Sequence, residues 1–175
     1  GLRNSILVYD LATGAHVATY AGHYTGTDAQ GKLMNFVSCT YNVEDNSLYV
    51  NLTNFHSLGM VAETAAAVVR FSLPDMVFRQ RWDIAPSAGS NEGQVFGHGS
   101  WWVCNSASAV IRRYSADWAQ LLGTYSVPKT QPLDPNSGEM AGYWQQLLWR
   151  GPLLYSNLHG PNTMGGVYSK GLEVS

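Results

Sequence analysis

Charged residues are few in this sequence. Only 13% of its 175 residues are charged, and 10 Lys and Arg stand against 12 Asp and Glu, which gives a net charge of −2. The largest basic cluster is the pair Arg112-Arg113. Because phosphate binding requires a surplus of Lys and Arg on one surface, this composition argues against a DNA or RNA partner. We therefore expect no nucleic-acid function.

Long hydrophobic runs are also missing. No apolar stretch approaches the roughly 20 residues that a helix needs to cross a bilayer, so we expect no membrane span. The first residues, Gly1-Leu2-Arg3-Asn4, have no signal-peptide layout, and if a signal existed we expect it to have been removed. The hydrophobic content of 45% is nevertheless enough for a sizeable core within the size range of one domain.

Cysteine is scarce, since Cys39 and Cys104 allow one disulfide at most. Both lie on segments that we interpret as strands of neighbouring units. Two buried free thiols are favoured over a bond, because unpaired cysteines in a core behave as small hydrophobic residues. Asn51-Leu52-Thr53 is a formal glycosylation sequon, a pattern that often arises by chance. Neither feature settles the compartment, and an extracellular or secreted location is slightly favoured.

Recognisable catalytic motifs are missing as well. The sequence has no Gly-x-Ser-x-Gly elbow, phosphate-cradling loop or Cys-x-x-Cys pair. Its carboxylates are scattered, without a spacing that implies general acid–base catalysis. Asp10 and Asp117 stand at strand-turn junctions, where we expect them to stabilise turns. These absences favour a binding or structural role over an enzymatic one.

What the sequence does contain is a repeated pattern of short strands. Leu48-Tyr49-Val50, Trp101-Trp102-Val103 and Leu153-Leu154-Tyr155 are apolar segments, each followed by a polar turn and a second strand. Their central residues are 53 and 52 residues apart. Self-similarity at a period near fifty residues predicts stacked antiparallel units. Residues 77–83 alternate between apolar and polar side chains, which predicts a half-exposed outer strand.

The strand count predicts an all-β, β-propeller-like chain. We count about thirteen strands in three to four antiparallel units, with only two strands in the first unit and three in the last. Closed rings usually have about four to eight blades, so residues 1–175 form either a single propeller-like domain or a segment of a longer propeller. We expect a ring completed by further polypeptide or by another chain. The alternative is a small closed ring with one terminal strand misassigned.

Several segments resemble the NHL-type β-propeller repeat. Residues 6–14 match its strand-turn-strand, residues 22–31 its glycine-rich loop, and Leu48-Tyr49-Val50 its "LYV" strand, while residues 110–117 repeat part of the run. In the family an acidic residue usually follows this strand, whereas Asn51 follows it here, and residues 54–56 only echo the family's Asn-His-Arg-like turn. The resemblance implies a propeller fold of the kind that WD40-like proteins share. Some NHL-like lyases use channel histidines with zinc, but that ligand pattern cannot be carried over to this chain.

Three histidines are candidate metal ligands, because each flanks the repeated strand or its equivalent: His56, His98 and His159. If the turns that hold them meet near one rim of the channel, their imidazoles could converge on a divalent ion, zinc or calcium. The alternative, which we favour, is that these are turn histidines that donate to backbone carbonyl groups. No cofactor is strongly implied.

Aromatic residues are the remaining binding candidates, and they concentrate in the second half of the chain: Trp101, Trp102, Trp144 and Tyr155. Trp101 and Trp102 point to opposite faces of one strand, so one packs between blades and the other faces the channel, a neighbouring blade or a partner. Exposed aromatic side chains often anchor protein partners or stack on sugars.

We therefore expect a non-enzymatic interaction or structural module within a larger protein or assembly. Its partner would be another protein or the remaining part of the same propeller. Two alternatives stay open: a metal-assisted lyase or hydrolase that uses the three histidines, and a carbohydrate-binding module that uses an exposed tryptophan.

Overall fold

A computed structural model describes residues 4–21, 24, 26–54, 65–86, 91–105, 110–126, 143–159 and 169–174. Within these ranges the chain forms thirteen strands and no helix, which confirms the predicted all-β class. The strands are β1 Ser5–Tyr9, β2 His16–Ala21, β3 Asn35–Asn42, β4 Ser47–Thr53, β5 Ala66–Ser72, β6 Val77–Ile84, β7 Asn91–Gly97, β8 Ser100–Asn105, β9 Val110–Ser115, β10 Leu121–Ser126, β11 Tyr143–Arg150, β12 Leu153–His159 and β13 Ser169–Val174.

The strands form four antiparallel sheets, which we call blades 1 to 4. Blade 1 contains β1 and β2, blade 2 contains β3 to β6, blade 3 contains β7 to β10, and blade 4 contains β11 to β13. Within each blade, every strand pairs with the next strand along the chain, as in a propeller blade. The arrangement confirms the predicted propeller-like blades with a two-stranded first unit and a three-stranded last unit. No closed ring is detected in the described residues.

The first strands of blades 2, 3 and 4 lie side by side. β7 of blade 3 lies against β3 and β4 of blade 2, and β11 of blade 4 lies against β7 and β8 of blade 3. Two hydrogen bonds link blades 2 and 3: the Thr40 hydroxyl donates to the Gln94 carbonyl oxygen at 2.7 Å, and Gln94 Nε2 donates to the Tyr49 carbonyl oxygen at 2.9 Å. β3, β7 and β11 are therefore the inner strands of the array.

The hydrophobic core is divided among the interfaces between successive blades. Burial of apolar side chains is the main favourable term in folding, so these interfaces hold the blades together. Between blades 1 and 2 lie Met34, Val50, Leu52, Val69 and Phe71, with Ile6 and Tyr20 packed against them. Between blades 2 and 3 lie Tyr49, Val68, Ile84, Trp101, Val103, Tyr114 and Trp118. Between blades 3 and 4 lie Cys104, Ile111, Leu147 and Leu154, with Trp102 and Trp149 packed against them.

The outer strand of blade 2 anchors the connection from blade 1. β6 is the last strand of its sheet and is largely exposed, as predicted for residues 77–83. Arg81 donates to the Tyr24 hydroxyl at 3.3 Å and to the Thr27 carbonyl oxygen at 3.2 Å, and it forms an ion pair with Asp83. The Tyr24 ring stacks on Phe78 at 4.4 Å. Arg81 thus fixes the segment before β3 against blade 2.

Tight turns join alternate strands along one end of the blades. Residues 43–46, 98–99 and 151–152 are examples, and they contain left-handed backbone at Asn46, His98, Gly99 and Gly151. Antiparallel pairing places the ends of β4 and β10 and the starts of β5 and β11, from which the connections 54–65 and 127–142 extend, at the opposite end of the strands. The molecule therefore has a rim of tight turns and a rim of longer connections.

Asp10 and Asp117 hold two of these turns, as their positions in the sequence predict. Asp10 Oδ1 accepts from the Thr13 hydroxyl at 2.8 Å and from the Thr13 amide at 2.7 Å. Asp117 Oδ1 accepts from the Ser115 hydroxyl at 2.6 Å and from the Ala119 amide at 3.1 Å. In each case the first of these hydrogen bonds is the main reason that the pKa of the carboxyl group is lowered.

The strand pairing in blade 4 places the repeated position one residue later than expected, at Tyr155 instead of Leu154. Tyr49, Trp102 and Tyr155 are each the third residue of the second strand in their blade, at a constant spacing of 53 residues. Tyr49 and Trp102 face the following blade, whereas Leu154 packs against the preceding one. Because neighbouring residues in a strand point to opposite faces, an anchor at Leu154 was wrong and Tyr155 is the equivalent position.

Candidate interaction surfaces

Trp101 is a core residue rather than a ligand-binding one. Its side chain is fully buried between blades 2 and 3. The ring lies 4.9 Å from that of Trp118 in a stacked arrangement and 4.3 Å from that of Tyr49, and its Nε1 donates to the Ala116 carbonyl oxygen at 3.1 Å. Both its apolar surface and its polar atom are therefore already satisfied within the fold.

Trp102 faces blade 4 and is half-buried. Its ring meets the edge of Trp149 at 5.3 Å and lies 5.5 Å from the ring of Tyr125. The Arg113 guanidinium carbon sits 5.3 Å from its centroid, within cation–π range. Its Nε1 donates to the Gly97 carbonyl oxygen at 3.3 Å. Of the two placements predicted for Trp101 and Trp102, the structure shows both rings between blades, on opposite faces of β8.

The other two aromatic candidates lie in blade 4. Trp144 is in β11 and pairs with Leu158, and its side chain lies outside the described part of the structure. Tyr155 is half-buried and stands opposite Leu148 in the pairing of β11 with β12. That face points away from blade 3, since Leu154 and Trp149 occupy the face toward it.

The three candidate metal ligands are not brought together in the described residues. His98 is in the turn between β7 and β8, where its Nε2 donates to the Gly151 carbonyl oxygen at 3.1 Å and its ring meets Trp149 at 4.7 Å. β12 begins beside Gly151 and ends at His159, and its six residue steps of about 3.3 Å place His159 roughly 20 Å from that contact. His98 and His159 therefore cannot ligate one ion. His56 lies outside the described residues.

Among the described residues, no group of three or more His, Cys, Asp or Glu side chains could hold a metal ion. The same residues contain no helix that is long and apolar enough to cross a lipid bilayer. Cys39 and Cys104 are both free thiols on neighbouring blades, with Cys104 buried and Cys39 exposed.

Asp28 organises the described part of the rim of longer connections. Its Oδ2 accepts from Asn54 Nδ2 at 3.0 Å, and its Oδ1 accepts from the amides of Gln30 and Lys32 at 2.9 Å each. The hydrogen bond from Asn54, followed by that from the Lys32 amide, lowers the pKa of the carboxyl group. Asp28 therefore closes its own loop and ties it to the end of β4.

A repeated aromatic contact joins the blades. Tyr49 of blade 2 enters the cluster that holds Trp101 and Phe96 of blade 3. Trp102 of blade 3 meets Trp149 of blade 4 in the same way. Aromatic pairs of this kind add roughly 1 kcal/mol beyond the area that they bury. Tyr49 and Trp102, each the third residue of a second strand, thus contact aromatic rings of the next blade.

The two end sheets present apolar faces without a neighbouring blade. In blade 1, Ile6 and Tyr20 pack toward blade 2, while Leu7 and Tyr9 point the other way and are 46% and 56% exposed. In blade 4, Leu148 is 63% exposed beside Tyr155. Side chains between blades 2 and 3 are buried, whereas these two faces are exposed in the described part of the chain.

Sequence reasoning did not single out the exposed side chains of β3. Cys39 is exposed and Tyr41 is 52% exposed, although both lie on an inner strand opposite the buried or half-buried residues Val50 and Leu48. The alternation of Val37, Cys39 and Tyr41 with polar residues does not indicate which neighbouring strand their face meets. In the described residues the preceding sheet contains only β1 and β2, so it leaves this side of β3 exposed.

Comparisons with known proteins assign no family. No family model matches the chain, and no curated protein does. Among solved structures, the chain is similar to a luciferin-regenerating enzyme at 12% sequence identity and a TM-score of 0.43, with 90% of this chain and 64% of that chain covered. The chain thus spans less than two thirds of that enzyme's length.

Proposed function

We propose that this chain is a non-enzymatic propeller segment that acts as an interaction and structural module within a larger ring or assembly. The observation that carries the proposal is the pair of uncovered apolar faces at the two ends of the blade array. Leu7 and Tyr9 mark one face, and Leu148 and Tyr155 mark the other. Contiguous exposed apolar surface of this kind usually marks a protein interface.

The interior of the array shows what covers such a face. Between blades 2 and 3 the equivalent surface is filled by aromatic and aliphatic side chains at core density. A partner for either end face would therefore be another β-sheet with an apolar face. The carbohydrate-binding alternative gains no support from Trp101, which is fully buried, and the metal-dependent alternative gains none from His98 and His159, which stand far apart.

The proposal predicts that the isolated chain binds a hydrophobic dye and associates with itself as its concentration rises. Leu148→Asp should reduce both effects, because it places a charge on the exposed blade 4 face. Leu122→Asp is the matched control, since Leu122 is 48% exposed on the outer strand β10. Light scattering and dye fluorescence on the three proteins measure the difference. A wild-type chain that stays monomeric and binds no dye would show that the end faces are covered within the chain.

A further inference from the structure

Three inner-strand residues hold equivalent places but differ in burial. Cys39 pairs with Val50, Gln94 with Val103 and Leu147 with Ser156, at the same register from the turn. Gln94 is 5% exposed and Leu147 is 9% exposed, whereas Cys39 is exposed. This difference in burial follows from the blade that precedes each inner strand. Blades 2 and 3 cover Gln94 and Leu147 with their inner strands, and blade 1 contributes only β1 and β2 beside Cys39.

The aromatic residues two positions later show the same pattern. Each inner strand contains a shift in register, and the aromatic residue lies the same number of residues after it in all three strands: Tyr41, Phe96 and Trp149. Phe96 packs into the cluster that Tyr49 enters, and Trp149 receives the ring of Trp102. Tyr41 is 52% exposed, and its hydroxyl donates to Asn46 Oδ1 at 3.0 Å. Tyr41 therefore stands where an aromatic ring of the preceding blade would pack, and the described blade 1 does not supply that ring.

We propose that the surface formed by Cys39 and Tyr41, the β3 patch, receives a two-stranded antiparallel hairpin with a Tyr or Trp as the third residue of its second strand. The hairpin takes the place of the two inner strands of blade 1, so the patch continues the interface between blades 1 and 2. This inference rests on the proposed function and names the chemistry of its partner.

The strand order favours a hairpin from a further propeller segment over a second copy of this chain. β1 and β2 connect directly into β3, so they hold the third and fourth positions of blade 1. In a second copy, the matching hairpin of β11 and β12 carries β13 as a paired third strand. That strand would meet β1 at the same position, and two strands cannot occupy one place in a sheet.

The test uses a synthetic hairpin of residues 143–159, whose Tyr155 is the equivalent of Tyr49 and Trp102. Tyr143 and His159 are paired, so a D-Pro-Gly turn can close the peptide into a ring. The readout is the rate at which iodoacetamide alkylates Cys39 in the full 175-residue chain. All rates are compared at one fixed alkaline pH, because the thiolate is the form that reacts. Cys104 is fully buried and reports any unfolding.

We expect the hairpin to slow alkylation of Cys39 by about tenfold near saturation, as roughly nine-tenths occupancy would give. A hairpin with Tyr155→Ser, or a chain with Tyr41→Asp, should lose this protection while Cys104 stays unreactive.

The inference is overturned if a hairpin that is folded by circular dichroism leaves the Cys39 rate unchanged up to about 1 mM. It also fails if the Tyr155→Ser hairpin protects equally, or if raising the chain concentration alone protects Cys39, which would identify a second copy as the occupant. If the hairpin does not protect Cys39 but Leu148→Asp has its expected effect, the hairpin partner is rejected. The proposed role as an interaction module is then retained.

Discussion

At the scale of single residues, the interfaces between blades depend on aromatic side chains, and two of these, Trp101 and Tyr49, have polar atoms that are bonded locally. Trp101 is fully buried, and its indole nitrogen donates to Ala116 within the same blade. Tyr49 is also buried, and its hydroxyl donates to Asp45 Oδ2 at 2.6 Å. Because a buried polar atom without a partner costs ~1–3 kcal/mol, these local bonds allow large aromatic residues to enter the core.

The ionisation of Tyr49 should make the fold sensitive to alkali. Burial, reinforced by the hydrogen bond to Asp45, raises the pKa of Tyr49 to about 12, above the value of about 10 that an unfolded tyrosine has. The folded state therefore holds this proton more tightly. The resulting stability is fully present below pH 10 and is lost as pH rises through 12. Urea denaturation at a series of pH values measures the decline.

Tyr49→Phe has no proton to lose at this position, so its free energy of unfolding should fall less steeply over the same pH interval. Tyr125→Phe is the control, because it removes a hydroxyl from a residue that is 45% exposed and should retain the wild-type decline. Equal slopes for Tyr49→Phe and the wild type would contradict the assignment.

At the scale of elements, the blades are joined by connections that are themselves held in place. Arg81 of β6 binds the Tyr24 hydroxyl and the Thr27 carbonyl oxygen, and the Tyr24 ring stacks on Phe78. The connection between blades 1 and 2 is therefore packed on the outer strand of blade 2. Asp28 closes the same segment from within through the amides of Gln30 and Lys32.

Replacing Arg81 should loosen this connection. Arg81→Ala removes the bonds to Tyr24 and Thr27 and should lower the free energy of unfolding by roughly 1–2 kcal/mol. Arg79→Ala is the matched control on the same strand, because Arg79 donates only locally, to the Ser72 hydroxyl at 2.9 Å, and its loss should cost at most about 0.5 kcal/mol. Hydrogen exchange at residues 26–34 locates the effect. Equal losses for the two variants would show that Arg81 does not hold the segment.

At the scale of the whole molecule, the sequence predicts the number and order of the strands. It does not predict to which face of its strand each residue points. Alternation and turn residues predict the outer strand β6, the two-stranded first unit and the three-stranded last unit. Spacing alone cannot tell Leu154 from Tyr155, because a shift of one residue exchanges the two faces of a strand. The same limit explains why Trp101 was a binding candidate although it lies in the core.

Predicting where His98 lies and that Tyr41 is exposed also requires the sheet topology. His98 precedes its strand while His159 ends one, and strand direction places them at opposite rims. The exposure of Tyr41 depends on strands absent from the described blade 1, so no local pattern could indicate it. The NHL-type assignment stays a prediction.

The central claim is that blade 1 presents an open edge along β1. In the described residues β1 pairs with β2 alone, whereas β4 and β8 are each paired on both sides. Amide hydrogen exchange at a concentration where the chain is monomeric tests this most directly. Alternate amides of Ser5–Tyr9 should exchange rapidly, while the amides of β4 and β8 stay protected. Uniform protection of β1 would mean that an inner strand of the same chain pairs with it, and would contradict the open array.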